Sequence, residues 1–295
     1  MTYLGEVCAL GAPLCWAFAV IWFKRTAGAS PVAMNVFKNG TALILLTATM
    51  GIFGVGLPIG RSGEDWLRLV LSGVLGLAVG DTLFFASLAR LGAARIALVD
   101  LVYAPTVVAL SWLLLGEQLG HSFLLGTAAV LGGVTLASLD PRALVEERPA
   151  DVRAGVLFGV AGIVGTAVGV ILAKPVLEHS NLIEVTWTRL LAGVVAQALW
   201  LSAARGWAPV LPVLRPSPLW RTLLPAAVMG TYFSLLLWLG GFKWANASVA
   251  AVLNQMATIY ILVLARVWLG EPLSARRIAG AGVAIVGAVA IVLGK

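Results

Sequence analysis

The sequence predicts an all-α integral membrane protein of ten transmembrane helices, arranged as two inverted five-helix repeats. Three observations predict it. The chain is 60% hydrophobic and 11% charged, against roughly 45–50% and about 25% in ordinary soluble domains, and a soluble fold of 295 residues could not hide that much apolar surface. It contains ten apolar segments near the ~20 residues that a bilayer-crossing helix needs. A short motif also occurs twice, 154 residues apart: Leu115-Gly116-Glu117-Gln118-Leu119 and Leu269-Gly270-Glu271-Pro272-Leu273. Each copy ends an apolar segment, and each is followed by glycines at one spacing, Gly126 and Gly133 in the first and Gly280 and Gly287 in the second. Self-similarity over half a chain of this composition marks a doubled membrane module.

The elements follow in order. Segment one, 4–23, lacks a basic leader and a small-residue cleavage site, so it reads as a retained helix and not a signal peptide. Segment two, 32–54, carries Asn35, Lys38 and Asn39; segment three, 66–88, carries Asp81; segment four, 94–115, carries Asp100 and Tyr103. Segment five, 121–139, is an almost continuous Ala/Val/Leu/Ile/Gly run. The sole long polar run, 140–153, then divides the chain. Segments six to ten are read at 154–173, 182–204, 219–241, 247–269 and 275–293. The connection Arg205–Pro218 holds Pro209, Pro212, Pro216 and Pro218, too many prolines for a helix to continue. The domains are therefore a repeat at 1–139, a linker at 140–153 and a repeat at 154–295. Five spans per half is odd, so the halves lie upside down relative to one another.

Matched positions support the doubling. Lys24 corresponds to Lys174, Lys38 to Arg189, Gly80-Asp81-Thr82 to Gly230-Thr231-Tyr232, and Asp100 to Asn254. Both ends of the chain should lie on one side of the membrane. Termini in the cytoplasm would leave five Lys and Arg on the cytoplasmic side and thirteen on the other, so the positive-inside rule favours termini outside.

Several function classes fall away. The net charge of +7 comes from single Lys and Arg in short connections, not from a basic stripe, so no nucleic-acid partner is expected. Cys8 and Cys15 lie seven residues apart on one helix, about 10 Å between Cα atoms, too far for a disulfide. His121 and His179 stand in different connections, and no metal site or cofactor is expected. No nucleophile elbow, zinc-protease motif or Walker-type loop appears. An enzyme is not expected, and any transport runs on a gradient or exchange, not on ATP.

Polar groups inside spans are the informative signal, since each ionisable one costs about 2.5–3.5 kcal/mol at a helix centre unless it finds a partner or water. Asp100, with Tyr103 one turn on, reads as a proton or cation site facing a central cavity, and Asp81 is the second candidate. Lys38, with Asn39 beside it, and Arg189 read as candidates for an anionic group, the competing use of Lys38 being a salt bridge to Asp81 or Asp100. Asn254 and Gln255 read as cavity lining or as interhelical glue. Trp16, Trp187, Tyr232, Trp238 and Tyr260 could supply an aromatic lining. Glu6 reads as interfacial, and Glu117 and Glu271 as turn and capping elements. The pairs Gly76–Gly80 and Gly165–Gly169 would let spans approach closely.

Two five-span halves, each with Leu-Gly-Glu-x-Leu before a glycine-rich last helix, resemble the drug/metabolite transporter superfamily, and more narrowly its EamA-type permeases. The likeness covers about residues 4–139 and 154–293 and includes Trp16 in the first helix, Lys38 and Arg189 in the second helix of each half, and Pro105 in the fourth. Asp100 near that proline departs from the usual pattern. The resemblance implies small-metabolite transport, such as amino acids, nucleotide-linked sugars or drugs, often outward and often by proton exchange. It also implies cytoplasmic termini, against the charge count. The sequence thus predicts a multi-pass secondary transporter of the cell (inner) membrane. Its expected partners are a small-molecule substrate, the lipid bilayer and protons, and a monomer is sufficient for function. The expected mode is alternating access about a cavity lined by segments one, three, four, six, eight and nine. The rivals are a lipid-linked-substrate carrier or flippase and a non-transport membrane sensor.

Overall fold

The computed structural model describes the backbone of residues 3–23, 30–138, 149–204, 206–269 and 274–293, and all their side chains except those of residues 92–94, 97, 149–151, 265 and 269. The first half consists of α1 (Leu4–Phe23), α2 (Pro31–Ile52), α3 (Gly63–Gly73), α4 (Asp81–Asp100), α5 (Tyr103–Leu110) and α6 (His121–Ser138). The second consists of α7 (Pro149–His179), α8 (Leu182–Ala203), a four-residue turn of helix α9 (Leu211–Leu214), α10 (Trp220–Ala227), α11 (Ser234–Trp244), α12 (Ala247–Asn254), α13 (Ala257–Leu269) and α14 (Ala275–Leu293). Among the described residues there is no strand.

Nine described helical runs are long and apolar enough to cross a membrane. The expected tenth span is α2, which falls short on hydropathy because it carries Asn35, Lys38 and Asn39. All three of those side chains are buried in the protein, so α2 hides its polar face from lipid and spans the bilayer among its neighbours.

The third span of each half is locally unwound to a π-turn: Val74–Gly80 links α3 to α4, and Val228–Phe233 links α10 to α11. The fourth span of each half is broken where the chain tightens to i→i−3 bonds. Leu101 and Val102 donate to Leu98 and Val99, and Gln255 and Met256 donate to Val252 and Leu253. Asp100 ends α4 and Asn254 ends α12, so the two matched residues stand at matched breaks. The helix boundary expected near residues 89–93 is displaced: helical bonding runs through that connection, and α4 ends only at Asp100. π-turns and mid-span breaks are tolerated in a bilayer only where neighbours or a water-filled cavity satisfy the freed backbone groups.

The repeated glycines form the contact between the halves' last helices, α6 and α14. A Cβ on Gly280 would lie 2.6 Å from the Ala137 amide, and one on Gly133 would lie 2.6 Å from the Gly280 carbonyl. Only a missing side chain lets two backbones come so close. The expected small-residue approach is also found between α7 and the third span. Gly80 packs on Thr166 and Gly162, Gly165 on the Leu75 carbonyl, and Gly169 on Ser72, whose hydroxyl donates to the Gly169 carbonyl.

A central cavity with one paired and one unpaired cation

The π-turns and the two mid-span breaks meet around a cavity of about 190 Å³ at the centre of the bundle. Pro13 and Trp16 come from α1, Lys38 from α2, and Gly76, Leu77, Asp81, Phe84 and Phe85 from the third span. Asp100 and Tyr103 flank the first break, Thr166 is on α7, Arg189 on α8, Gly230, Thr231, Ser234 and Trp238 on the eighth span, and Asn254 and Ala257 flank the second break. Both halves contribute to one chamber, as a pseudo-two-fold arrangement requires.

Lys38 does not face the cavity as a free cation. Its Nζ lies 2.6 Å from Asp81 Oδ2 and donates to Asn39 Oδ1 at 3.0 Å. The Phe85 ring lies 5.8 Å from the ammonium. Behind the pair, a buried amide web fixes α2 to the third span. Asn39 donates to Asn35 Oδ1 at 3.1 Å and to Gln197 Oε1 at 3.3 Å, and Asn35 donates to the Leu77 carbonyl and Thr82 Oγ1, both at 3.0 Å.

Arg189 is different. It is 0% exposed, and none of its Nε, Nη1 and Nη2 atoms has a hydrogen-bond partner among the described residues. Its guanidinium carbon lies 5.5 Å from the Trp238 ring, a cation–π contact. Trp238 in turn meets Phe242 edge to face and Tyr103 at a tilt. Gly73 makes room for the Arg189 backbone: a Cβ on Gly73 would collide with the Arg189 carbonyl, whereas one on Gly76 would only touch Nη2 at an ordinary 3.7 Å. Asp100 also lines the cavity and forms no salt bridge among the described residues.

Eight of the sequence-selected residues therefore converge on the cavity: Asp100, Asp81, Lys38, Arg189, Asn254, Trp16, Tyr103 and Trp238. Asn39, Gln255, Tyr232, Trp187 and Tyr260 do not line it. Asn39 is buried in the amide web. Gln255 turns to the opposite break, donating to the Asp100 carbonyl at 3.2 Å. Tyr232 points away on the π-turn, where its hydroxyl meets Thr49 Oγ1 at 2.7 Å. Trp187, also outside the lining, donates to Thr47. Glu6, near the start of α1, is buried in the protein. Thr166, Ser234, Phe84 and Phe85 line the chamber without having been singled out. They are too common in membrane helices to stand out by type, and the fold alone selects them.

At the face where α1 begins, polar bonds tie the helix ends together. Glu117 of the first motif copy accepts from the Ala247 and Ser248 amides, at 2.5 and 3.0 Å, and from Ser248 Oγ at 2.6 Å. It caps α12, a helix of the other half. Arg61 pairs with Glu184 at 2.5 Å, and Lys243 donates to the Ser180 and Leu177 carbonyls. Lys24 and Glu271 lie outside the described residues.

Comparison with known proteins agrees with this architecture. The profile of the EamA-like transporter family matches residues 3–139 and 153–293, one match per half. No curated protein matches the sequence. A solved structure, titled only as the crystal structure of a protein, superposes with a TM-score of 0.80 at 17% identity, covering 98% of this chain and 96% of the other. At that identity the likeness concerns the fold.

Proposed function

Because the chain belongs to the EamA-like transporter family, membrane transporters of small molecules, we propose that it is a secondary transporter working by alternating access about the central cavity, with Asp100 as the proton-carrying group. The observation that carries this reading is a chamber built jointly by the two halves, with Asp100 at a mid-span break and no counter-ion beside it among the described residues. An ionised carboxylate without a partner is costly inside a membrane protein, so a group in this position is suited to exchange its proton. The matched π-turns and breaks give each half flexible elements at the cavity wall, the places where rocking halves change shape. The family likeness favours outward movement of small metabolites across the cell membrane. One chain holds both halves of the pathway, so a single copy suffices.

The test uses protein reconstituted in liposomes loaded with a pH-sensitive dye and challenged with carboxylates, amino acids, nucleotides, sugars and cationic drugs. One chemical class should drive proton movement with wild-type protein. Asp100→Asn should abolish that response and leave cargo exchange intact. Unchanged pH-driven transport in the variant would overturn the role of Asp100. A panel that moves neither protons nor cargo would overturn the transporter reading.

A further inference from the structure

We propose that the cargo is a small organic monoanion, held by its carboxylate on Arg189 and accompanied by a proton on Asp100. This rests on the transporter reading above. Arg189 is fully buried, faces the cavity and has all three guanidinium nitrogens unpartnered among the described residues. A guanidinium presents its donors as a planar fork that matches a carboxylate with two parallel hydrogen bonds. A buried charge left without such a partner is strongly unfavourable, so the site is complete only with an anion in it. Trp238 covers the cation at 5.5 Å and leaves the cavity side to the ligand.

The charge balance fixes how much anion. The charged and titratable groups lining the cavity are Lys38, Asp81, Asp100, Tyr103 and Arg189. Lys38 and Asp81 neutralise each other at 2.6 Å. That leaves one cation, Arg189, and one acid, Asp100. In the empty chamber these two charges sum to zero, but no salt bridge joins them among the described residues, and the donors of Arg189 stay unused. An arriving monoanion takes Arg189 for itself, and the chamber stays neutral only if Asp100 gains a proton. A dianion such as a phosphate monoester would bring a second charge with no cation to meet it. At about 190 Å³ the cavity is many times the roughly 10–15 Å³ of accessible space that a single water takes up, room for a small organic ligand. The cavity walls are partly aromatic: Trp238 against Arg189, with Trp16 and Phe84 elsewhere in the lining. The cargo is therefore a compact carboxylate with an apolar body, and proton and cargo move together as a neutral load.

The experiment is a binding titration of the purified full-length protein with a matched series: phenylacetate, hexanoate, phenyl phosphate, phenylalanine and phenethylamine, at pH 6 and pH 8. Phenylacetate or hexanoate should bind, and bind several-fold more tightly at pH 6. Arg189→Gln should weaken that binding at least tenfold, and Arg189→Lys should recover part of it. Asp100→Asn should still bind the carboxylate but lose the pH dependence. Binding confined to phenethylamine, phenylalanine or phenyl phosphate would overturn the proposal, as would no binding by any of the five. Carboxylate binding that ignores pH in the wild type, or survives in folded Arg189→Gln, would also overturn it. A carboxylate that binds as described yet is not moved in liposomes would sink the transporter reading instead and leave the site assignment standing.

Discussion

Lys38 Nζ sits 2.6 Å from Asp81 Oδ2, joining α2 to the start of α4 at the wall of the central cavity. That contact decides the charge available there. Within the matched pair Lys38 and Arg189, Lys38 is already neutralised within the protein, whereas Arg189 has no such partner among the described residues. The two halves place a cation at one position and use it differently.

Breaking the Lys38–Asp81 pair from one side should cost more than removing it. Asp81→Asn leaves the ammonium of Lys38, 3% exposed, without its counter-charge, and a loss of about 3 kcal/mol is expected, the low end for a broken buried pair. The double variant Lys38→Met, Asp81→Asn should regain most of that loss. Thermal unfolding of the purified variants in detergent measures both. Equal losses in the single and double variants would mean that the two charges are not coupled.

The α6–α14 contact predicts a contrast between adjacent glycines. Gly133→Ala places a methyl group 2.6 Å from the Gly280 carbonyl, so the helices must separate, at a cost of about 1–3 kcal/mol. Gly132→Ala meets nothing within 4 Å and should be neutral or slightly stabilising through helix propensity. The unfolding midpoints of the two variants check this. Similar midpoints would remove the close approach from the account.

Glu117→Ala should free the first turn of α12. Loss of a capping side chain costs about 0.5–2 kcal/mol, and the effect should be local. Hydrogen exchange at the Ala247 and Ser248 amides should speed up by about 2- to 30-fold, the equivalent of that cost, while the core of α8 stays protected. Unchanged exchange at those two amides would contradict the cap.

The broad fold was legible in the sequence because its signals are long: apolar runs of membrane-crossing length and glycines repeated at one spacing in two places. The same glycines now stand face to face in α6 and α14. The cavity was partly legible, since an ionisable residue inside a span has few places to go, and Asp81, Asp100, Lys38 and Arg189 all reach the chamber. What was not legible depends on contacts between distant segments. Lys38 had two acids within plausible reach, and only the packing of α2 on α4 selects Asp81. Gln255 and Tyr232 have the right residue types at the right depth, but the break after Asn254 and the π-turn at Val228–Phe233 rotate them away from the lining. A shift from i−4 to i−5 or i−3 bonding leaves no mark in composition, so such rotations were invisible from sequence. The same holds for Gln197, whose buried amide matters only because Asn39 arrives beside it.

Glu117 belongs to the first copy of the duplicated motif, yet the helix it caps belongs to the second half. A module that capped its own helix could have persisted as a free-standing gene product, pairing with a twin when one was at hand. A cap that crosses between the halves makes the second half's fourth span structurally dependent on the first half. Drift at Glu117 is then answerable to the backbone of α12, more than a hundred positions downstream, so the ancestral copies are free to diverge in their cargo-facing residues but not in the brace that holds them to a common frame.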